Sequence, residues 1–141
     1  MREVKNFEYE NGATYVGECE GNVREGKGVY TQNGVSIYGD WKENHLNGIG
    51  KMTCPAFTYD GEFLNTLRHG KGKEVHSDGT VYEGEFQFGH KHGTMRILLT
   101  NGAIVDCTFS KGKGVGDGIM TMTDGEKVPV CFNDGKLYFK K

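Results

Sequence analysis

The sequence predicts an all-β fold, an elongated single-layer array of consecutive β-hairpin repeats with 22–23 residues per repeat. The first observation behind this prediction is a recurring Gly-x-Gly pair, found at Gly26/Gly28, Gly48/Gly50, Gly70/Gly72, Gly93/Met95 and Gly116/Gly118. The second is a strand-forming residue eleven positions before each pair, found at Tyr15, Ile37, Tyr59, Tyr82 and Val105. The third is the composition. With 23 glycines and only 2 prolines in 141 residues the chain is unlike collagen, and its 8 Phe and 7 Tyr are too many apolar rings for a disordered chain.

The repeat registers divide the chain into one array over residues 1–141. A partial unit covers residues 1–14, repeats begin near residues 15, 37, 59, 82 and 105, and a truncated unit covers residues 128–141. Repetition at a fixed period is typical of architectures in which each unit packs only on its neighbours. We therefore expect a single array with no separate domains.

Each repeat is predicted to be a hairpin. The Tyr-x-Gly-x-Phe segments alternate apolar and polar residues, as half-buried strands do. Six residues always separate the ring position from the Gly-x-Gly pair, which predicts one constant loop conformation. The 22-residue units lack one residue after Gly28 or after Gly50, and we expect a bulge or an altered turn there. Dipeptides that permit the positive φ of tight turns stand between most repeats, at Asn11-Gly12, Asn33-Gly34, Asp78-Gly79, Asn101-Gly102 and Asp124-Gly125.

Strand parity predicts one aromatic face and one acidic face. Tyr59, Gly61 and Phe63 point to the same side, because side chains two residues apart share a face. The opposite side carries Glu18, Asp40, Glu62 and Glu85. The sequence offers no second layer to cover the rings, so we expect a groove lined by them. The predicted groove residues are Trp41, Tyr59, Phe63, Tyr82 and Phe86.

These residues resemble the repeat of the MORN (membrane occupation and recognition nexus) family. The best matches are Tyr59-Asp60-Gly61-Glu62-Phe63 with His69-Gly70-Lys71-Gly72, and Tyr82-Glu83-Gly84-Glu85-Phe86 with His92-Gly93. The resemblance covers residues 6–136 and implies an elongated hairpin array. It also implies the role of small stand-alone members, which act as adaptors. The departures from the pattern are Cys19 at a ring position, Met95 and Cys107 at glycine positions, and Val105 and Val128 at tyrosine positions.

The expected function is that of a non-enzymatic scaffold. The groove would hold a helical or extended segment of a partner protein and link cytoskeletal or membrane-proximal machinery in the cytoplasm. A net charge of −2 argues against a dedicated nucleic-acid binder. Carboxylates that recur once per unit are typical of a solvated face, and His69, His90 and His92 are better explained by loop structure than by metal binding. We therefore expect no catalytic residue, cofactor or metal.

An alternative function is a peripheral membrane module that binds anionic lipid through basic loops of the later repeats. The lysines expected at those loop tips are Lys71, Lys73, Lys91, Lys111 and Lys113. A homodimer is also expected, because the last unit is cut short after Gly135 and leaves a sheet edge with apolar residues in water.

Overall fold

The computed structural model describes residues 2–140, which form one antiparallel sheet of 13 strands. Each strand pairs with the next in the chain, so the sheet is a continuous meander. The all-β, single-sheet prediction is confirmed, and the described residues contain no helix that could cross a membrane. The strands are β1 (Glu3–Glu8), β2 (Thr14–Glu20), β3 (Val23–Gln32), β4 (Val35–Lys42), β5 (His45–Thr53), β6 (Phe57–Leu64), β7 (Leu67–His76), β8 (Val81–Gln87), β9 (His90–Leu98), β10 (Ile104–Ser110), β11 (Lys113–Thr121), β12 (Lys127–Asn133) and β13 (Lys136–Phe139).

Two-residue turns connect the strands at one end of the hairpins. We call this row of turns the tip edge. Both turn residues have positive φ in five of the six turns, as in a type I′ hairpin. The prediction of a constant loop conformation after the ring position holds for these turns except Gly21-Asn22 of the first repeat. The tip turns are Gly21-Asn22, Glu43-Asn44, Asn65-Thr66, Phe88-Gly89, Lys111-Gly112 and Asp134-Gly135.

The connections at the opposite end of the strands, which we call the base edge, account for the difference in length between 22-residue and 23-residue units. Asn33-Gly34 alone joins the paired residues Gln32 and Val35, and four residues join Thr53 to Thr58. The other connections at this edge leave five residues between paired positions. An altered turn, one of the two expected devices, is thus present after Gly28 and Gly50. The expected bulge is not there, because the register shifts lie instead in the tip hairpins, for example between Gly61 and Phe63.

The strands bend sharply near their middle. Arg68 and Glu74 are six residues apart on β7, a distance of about 20 Å in an extended strand. Their side chains nevertheless form an ion pair at 2.5 Å, which they could not reach along a straight strand. Gly70, between them, has a φ of +85°. Each hairpin therefore folds towards its aromatic side, which becomes the inside of the bend.

A row of glycines runs across seven strands at the bend. Its members pair in register, in the order Gly17, Gly28, Gly39, Gly50, Gly61, Gly72 and Gly84. A Cβ at Gly72 would lie 2.3 Å from the Tyr59 ring, and a Cβ at Gly61 would lie 2.5 Å from the Cα of Gly72. The expectation that these glycines make room for rings and neighbouring backbone is consistent with this geometry.

The bend covers the motif rings without a second layer. We call the half of each hairpin beside the tip edge the tip arm and the other half the base arm. Side chains from the two arms meet inside the bend and form one core. The single sheet thereby provides both walls of its own core, so the rings are covered by the other arm of the same sheet and not by a separate layer.

The outer face carries mixed charges. Lys51, Asp60, Lys73 and Glu83 stand in register on successive strands, so each lysine has a carboxylate beside it. The carboxylate of Glu62 accepts the backbone N–H of Lys71 at 2.6 Å. The predicted acidic face is thus wrong, because basic residues of the intervening strands alternate with the predicted carboxylates.

Candidate functional site

Four of the five predicted groove rings form the floor of the core. Trp41, Tyr59, Phe63 and Phe86 are 0–4 % exposed, while Tyr82 is only partly buried. Tyr59 packs edge-on against Phe63 and Phe86, with ring centroids 5.3 and 4.9 Å away. Polar atoms on these rings are paired inside the protein, since Tyr59 donates its hydroxyl to the Glu62 carbonyl at 2.8 Å and burial raises its pKa to about 12. Of the five predicted groove residues, Tyr82 is the one whose side chain is partly exposed.

A second set of apolar side chains borders this floor and stays partly exposed. Its members come from strands and connections along nearly the whole array, and we call this set of side chains the groove. The members of the set are Phe7, Tyr9, Tyr30, Ile37, Met52, Phe57, Tyr82, Leu99, Met122, Phe132 and Leu137.

Three cations from the tip arm reach across the groove to rings of the base arm. The Arg24 guanidinium carbon lies 4.9 Å from the centre of the Tyr30 ring, and that of Arg68 lies 5.1 Å from the centre of the Phe57 ring. Lys91 Nζ lies 4.4 Å from the centre of the Tyr82 ring. Cations over aromatic faces are attracted by the ring quadrupole. These contacts hold the two arms together.

Glu74 is the buried charged residue of the core. Its carboxylate accepts hydrogen bonds from Arg68 at 2.5 Å and Lys91 at 2.9 Å, and it bonds His76 Nε2 at 2.5 Å. Burial by itself would raise the pKa of Glu74. The hydrogen bonds from Lys91 and His76, with the charges of Lys91 and Arg68, outweigh burial and lower the pKa below its usual value.

The family model named MORN repeat matches four segments of the chain, at residues 15–34, 38–56, 59–81 and 82–94. Together these segments cover just over half of the residues, and each corresponds to one bent hairpin of the array, the last of them in part. The chain belongs to the MORN repeat family. Proteins of this family generally bind other proteins or membranes.

A curated relative of this MORN array is MORN repeat-containing protein 3 of Xenopus laevis. The two are 36 % identical over 76 residues. The match covers 48 % of this chain and 32 % of the relative. The chain thus spans about a third of the relative's length in this match. The hairpins after residue 94 lie outside the family matches, and there the sequence has Val105 and Cys107 in place of the usual tyrosine and glycine.

The lysines predicted at loop tips of the MORN array are scattered over three environments. Lys71 and Lys73 lie on the outer face of β7, and Lys91 turns inward to Glu74 with 17 % of its side chain exposed. Only Lys111 lies in a tip turn, and Lys113 begins the next strand. The expected clustering of all five at loop tips is therefore wrong.

Two of the histidines join neighbouring tip turns. His69 Nδ1 accepts the N–H of Phe88 at 3.5 Å, and His92 Nδ1 accepts the N–H of Lys111 at 3.2 Å. Asn47 does the same for Asn65 at 2.9 Å. This repeated bond gives His69 and His92 the loop role expected from their position before a repeat glycine.

Sequence reasoning missed Arg24, Arg68 and Glu74. A signal was present, because Arg24, Leu46, Arg68 and Lys91 follow one another at the repeat spacing. Glu74 likewise occupies the repeat position that holds Tyr30 in the first full repeat, since each pairs with the motif tyrosine of its hairpin. A charged residue at a position that is otherwise apolar marks a place where the core needs a counter-charge.

Proposed function

We propose that this MORN array is a non-enzymatic scaffold that holds a helical segment of a partner protein in the groove between its two arms. The observation that carries the proposal is the set of partly exposed apolar side chains that packs on the core along nearly the whole array. Exposed apolar surface of this kind is typical of protein–protein contact sites. The buried rings, Trp41 among them, act as the floor that positions these side chains.

The repeat spacing supports a helix. Equivalent positions in successive repeats are separated by two strands, or about 9.6 Å. Seven residues of an α-helix rise by about 10.5 Å. A helix lying across the strands would therefore meet an equivalent position of the array every two turns, with anchors of the i, i+3 or i+4, i+7 pattern.

The test is site-specific photo-crosslinking in a cell extract. A photoreactive phenylalanine replaces Tyr82 in the groove or, as a matched control, Tyr38, which is a 46 % exposed tyrosine on the outer face. We expect a discrete crosslinked partner from position 82 and none from position 38. Crosslinking from position 38 alone, or equally from both, would place the contact outside the groove and overturn the proposal.

A second candidate function, binding to an anionic membrane, is supported by the tip edge. Phe88 is 63 % exposed at the apex of its turn, and Leu64 and Leu67 on the neighbouring hairpin are 45 % and 48 % exposed. Lys111 occupies the following tip turn. Apolar side chains next to cations suit the headgroup boundary of an anionic bilayer.

Vesicle cosedimentation tests this candidate. Vesicles of phosphatidylcholine with phosphatidylserine should retain the protein at low salt and release it at high salt, because exposed charges are screened. Phe88→Asn and Lys111→Glu should each reduce retention, whereas Lys27→Glu on the outer face should not. Equal retention of all four proteins would show that the tip edge is not the membrane contact.

A further inference from the structure

Arg24 lacks the carboxylate partner that a partly buried cation normally has. Its guanidinium lies within about 6 Å of the ring centres of Tyr9, Tyr15, Tyr30 and Trp41. Nη2 donates to the Asn44 carbonyl at 2.7 Å and Nη1 to the Tyr9 hydroxyl at 3.1 Å, while Nε is buried without a hydrogen-bond partner. Within residues 2–140, no carboxylate lies within ion-pair distance of this guanidinium.

Arg68 occupies the same position two repeats later and shows what completes such a site. Arg24 stands opposite Cys19 and Arg68 opposite Phe63, both at the ring position of the motif. Each donates Nη2 to the carbonyl of the next tip turn, Asn44 for Arg24 and Gly89 for Arg68.

The difference between the two sites is one carboxylate. Nη1 of Arg68 binds Glu74, whereas Nη1 of Arg24 meets only the neutral Tyr9 hydroxyl. The repeat position of Glu74 is occupied by Tyr30 in the Arg24 hairpin.

We propose that the Arg24 site binds a carboxylate from outside the chain, the side chain of an aspartate or glutamate on the segment held in the groove. This inference rests on the proposed scaffold function and names the chemistry of its partner. The incoming carboxylate replaces the Tyr9 hydroxyl at Nη1, as Glu74 occupies Nη1 of Arg68. The bond to the Tyr9 hydroxyl has an ionised donor only, whereas a carboxylate adds an ionised acceptor of opposite charge, so the exchange favours the carboxylate.

Charge balance supports an acidic occupant. The repeat position of Arg24 carries three cations along the array, Arg24, Arg68 and Lys91, whereas Glu74 is the one buried carboxylate among the described residues. A partly buried cation without a counter-ion carries a desolvation cost that a carboxylate would offset. Aromatic rings around Arg24 exclude water from the pair and strengthen it.

The test is NMR of the arginine Nε–H resonances in the full chain, titrated with sodium propionate at constant ionic strength. Propionamide and sodium chloride serve as the neutral and ionic controls. We expect a saturable shift of the Arg24 resonance with propionate alone and no such shift at Arg68, where Glu74 already occupies the site. Tyr30→Glu, which supplies a carboxylate from the chain itself, should abolish the response of Arg24.

Two results would overturn the inference: an Arg24 resonance that does not respond saturably to propionate, or one that responds equally to propionamide. Saturation by inorganic phosphate at lower concentration than by propionate would also reject carboxylate as the ligand. None of these results bears on whether the groove holds a helix, which the crosslinking at positions 82 and 38 decides separately.

Discussion

Replacing Gly72 with alanine tests how the bent sheet packs around its motif tyrosines. The new Cβ would lie 2.3 Å from Cε2 and from the hydroxyl oxygen of Tyr59 and 2.4 Å from Cζ, so the ring must move. Tyr59 has little freedom, because it is fully buried, hydrogen-bonded to Glu62 and packed against Phe86. Overpacking of a tight core costs about 1–3 kcal/mol, and the fixed ring puts Gly72→Ala at the upper end, about 3 kcal/mol.

The alternative route for the variant costs a similar amount. If the Tyr59 ring leaves the core, the protein loses the burial of a large aromatic side chain, also about 3 kcal/mol. Both routes lower the free energy of unfolding by a large part of the usual total. Gly72 has no positive φ, so the penalty at this position comes from collision and not from backbone strain.

Urea unfolding followed by tryptophan fluorescence measures the effect, with two further variants as controls. Gly48→Ala adds a Cβ in open space at a φ of +95° and should cost about 1–2 kcal/mol through backbone strain alone. In a Tyr59→Leu background, Gly72→Ala should lose most of its penalty, giving a coupling of about 2 kcal/mol. An unchanged unfolding midpoint for Gly72→Ala, or the same penalty with and without the Tyr59 ring, would refute the packing argument.

Three other substitutions test the groove and the tip edge. Glu74→Gln leaves two cations without a counter-charge and should cost about 3 kcal/mol at neutral pH. Because the pKa of Glu74 is lowered on folding, its contribution is fully present above its usual value of 4.5 and is lost as the pH falls through the lower folded value, so urea midpoints of the two proteins should converge in acid. Lys91→Met should lower the thermal midpoint clearly and Lys113→Met hardly at all, since only Lys91 binds Glu74; equal shifts would contradict the inward orientation. Phe88→Asn should stabilise the protein by about 0.5–1 kcal/mol, because Asn tolerates the φ of +48° of this type I′ turn better than Phe; a lower urea midpoint would show that Phe88 packs usefully.

Much of the fold followed from the sequence because the repeat imposes local geometry directly. Gly70 needs a positive φ and Gly72 must lie under a ring, so the Gly-x-Gly pair recurs with the hairpin, with Met95 as the exception in the fourth repeat. The expected altered turn after Gly28 was also predictable, because a one-residue deletion would otherwise move side chains to the opposite face. These features depend on positions a few residues apart, and the period repeats them.

The bend of the strands could not be read from the pattern. Strand parity gives the face on which Arg68 and Glu74 lie, and it assumes that six residues separate them by the length of an extended strand. The glycine row removes that separation, so residues from both ends of a hairpin meet. For the same reason the motif rings are buried at the floor of the core. The partly exposed apolar side chains are others, such as Tyr30 and Phe57.

We expect the residue opposite the ring position to set what each part of the groove accepts, and this gives a prediction about the sequence of the proposed partner. The first full repeat offers Arg24; the next has the fully buried Leu46 at the equivalent position and offers the partly exposed Ile37 and Met52. A helix that places an acid at Arg24 should therefore place an apolar residue about seven positions away, on the same face. Two peptides of equal composition test this spacing. The peptide with a glutamate seven residues from a leucine anchor, in either direction, should bind about tenfold more tightly than the peptide with a spacing of five residues. At a spacing of five, the glutamate lies on the far side of the helix. Equal affinities in fluorescence anisotropy would mean that the cation at Arg24 does not set the register of the bound segment.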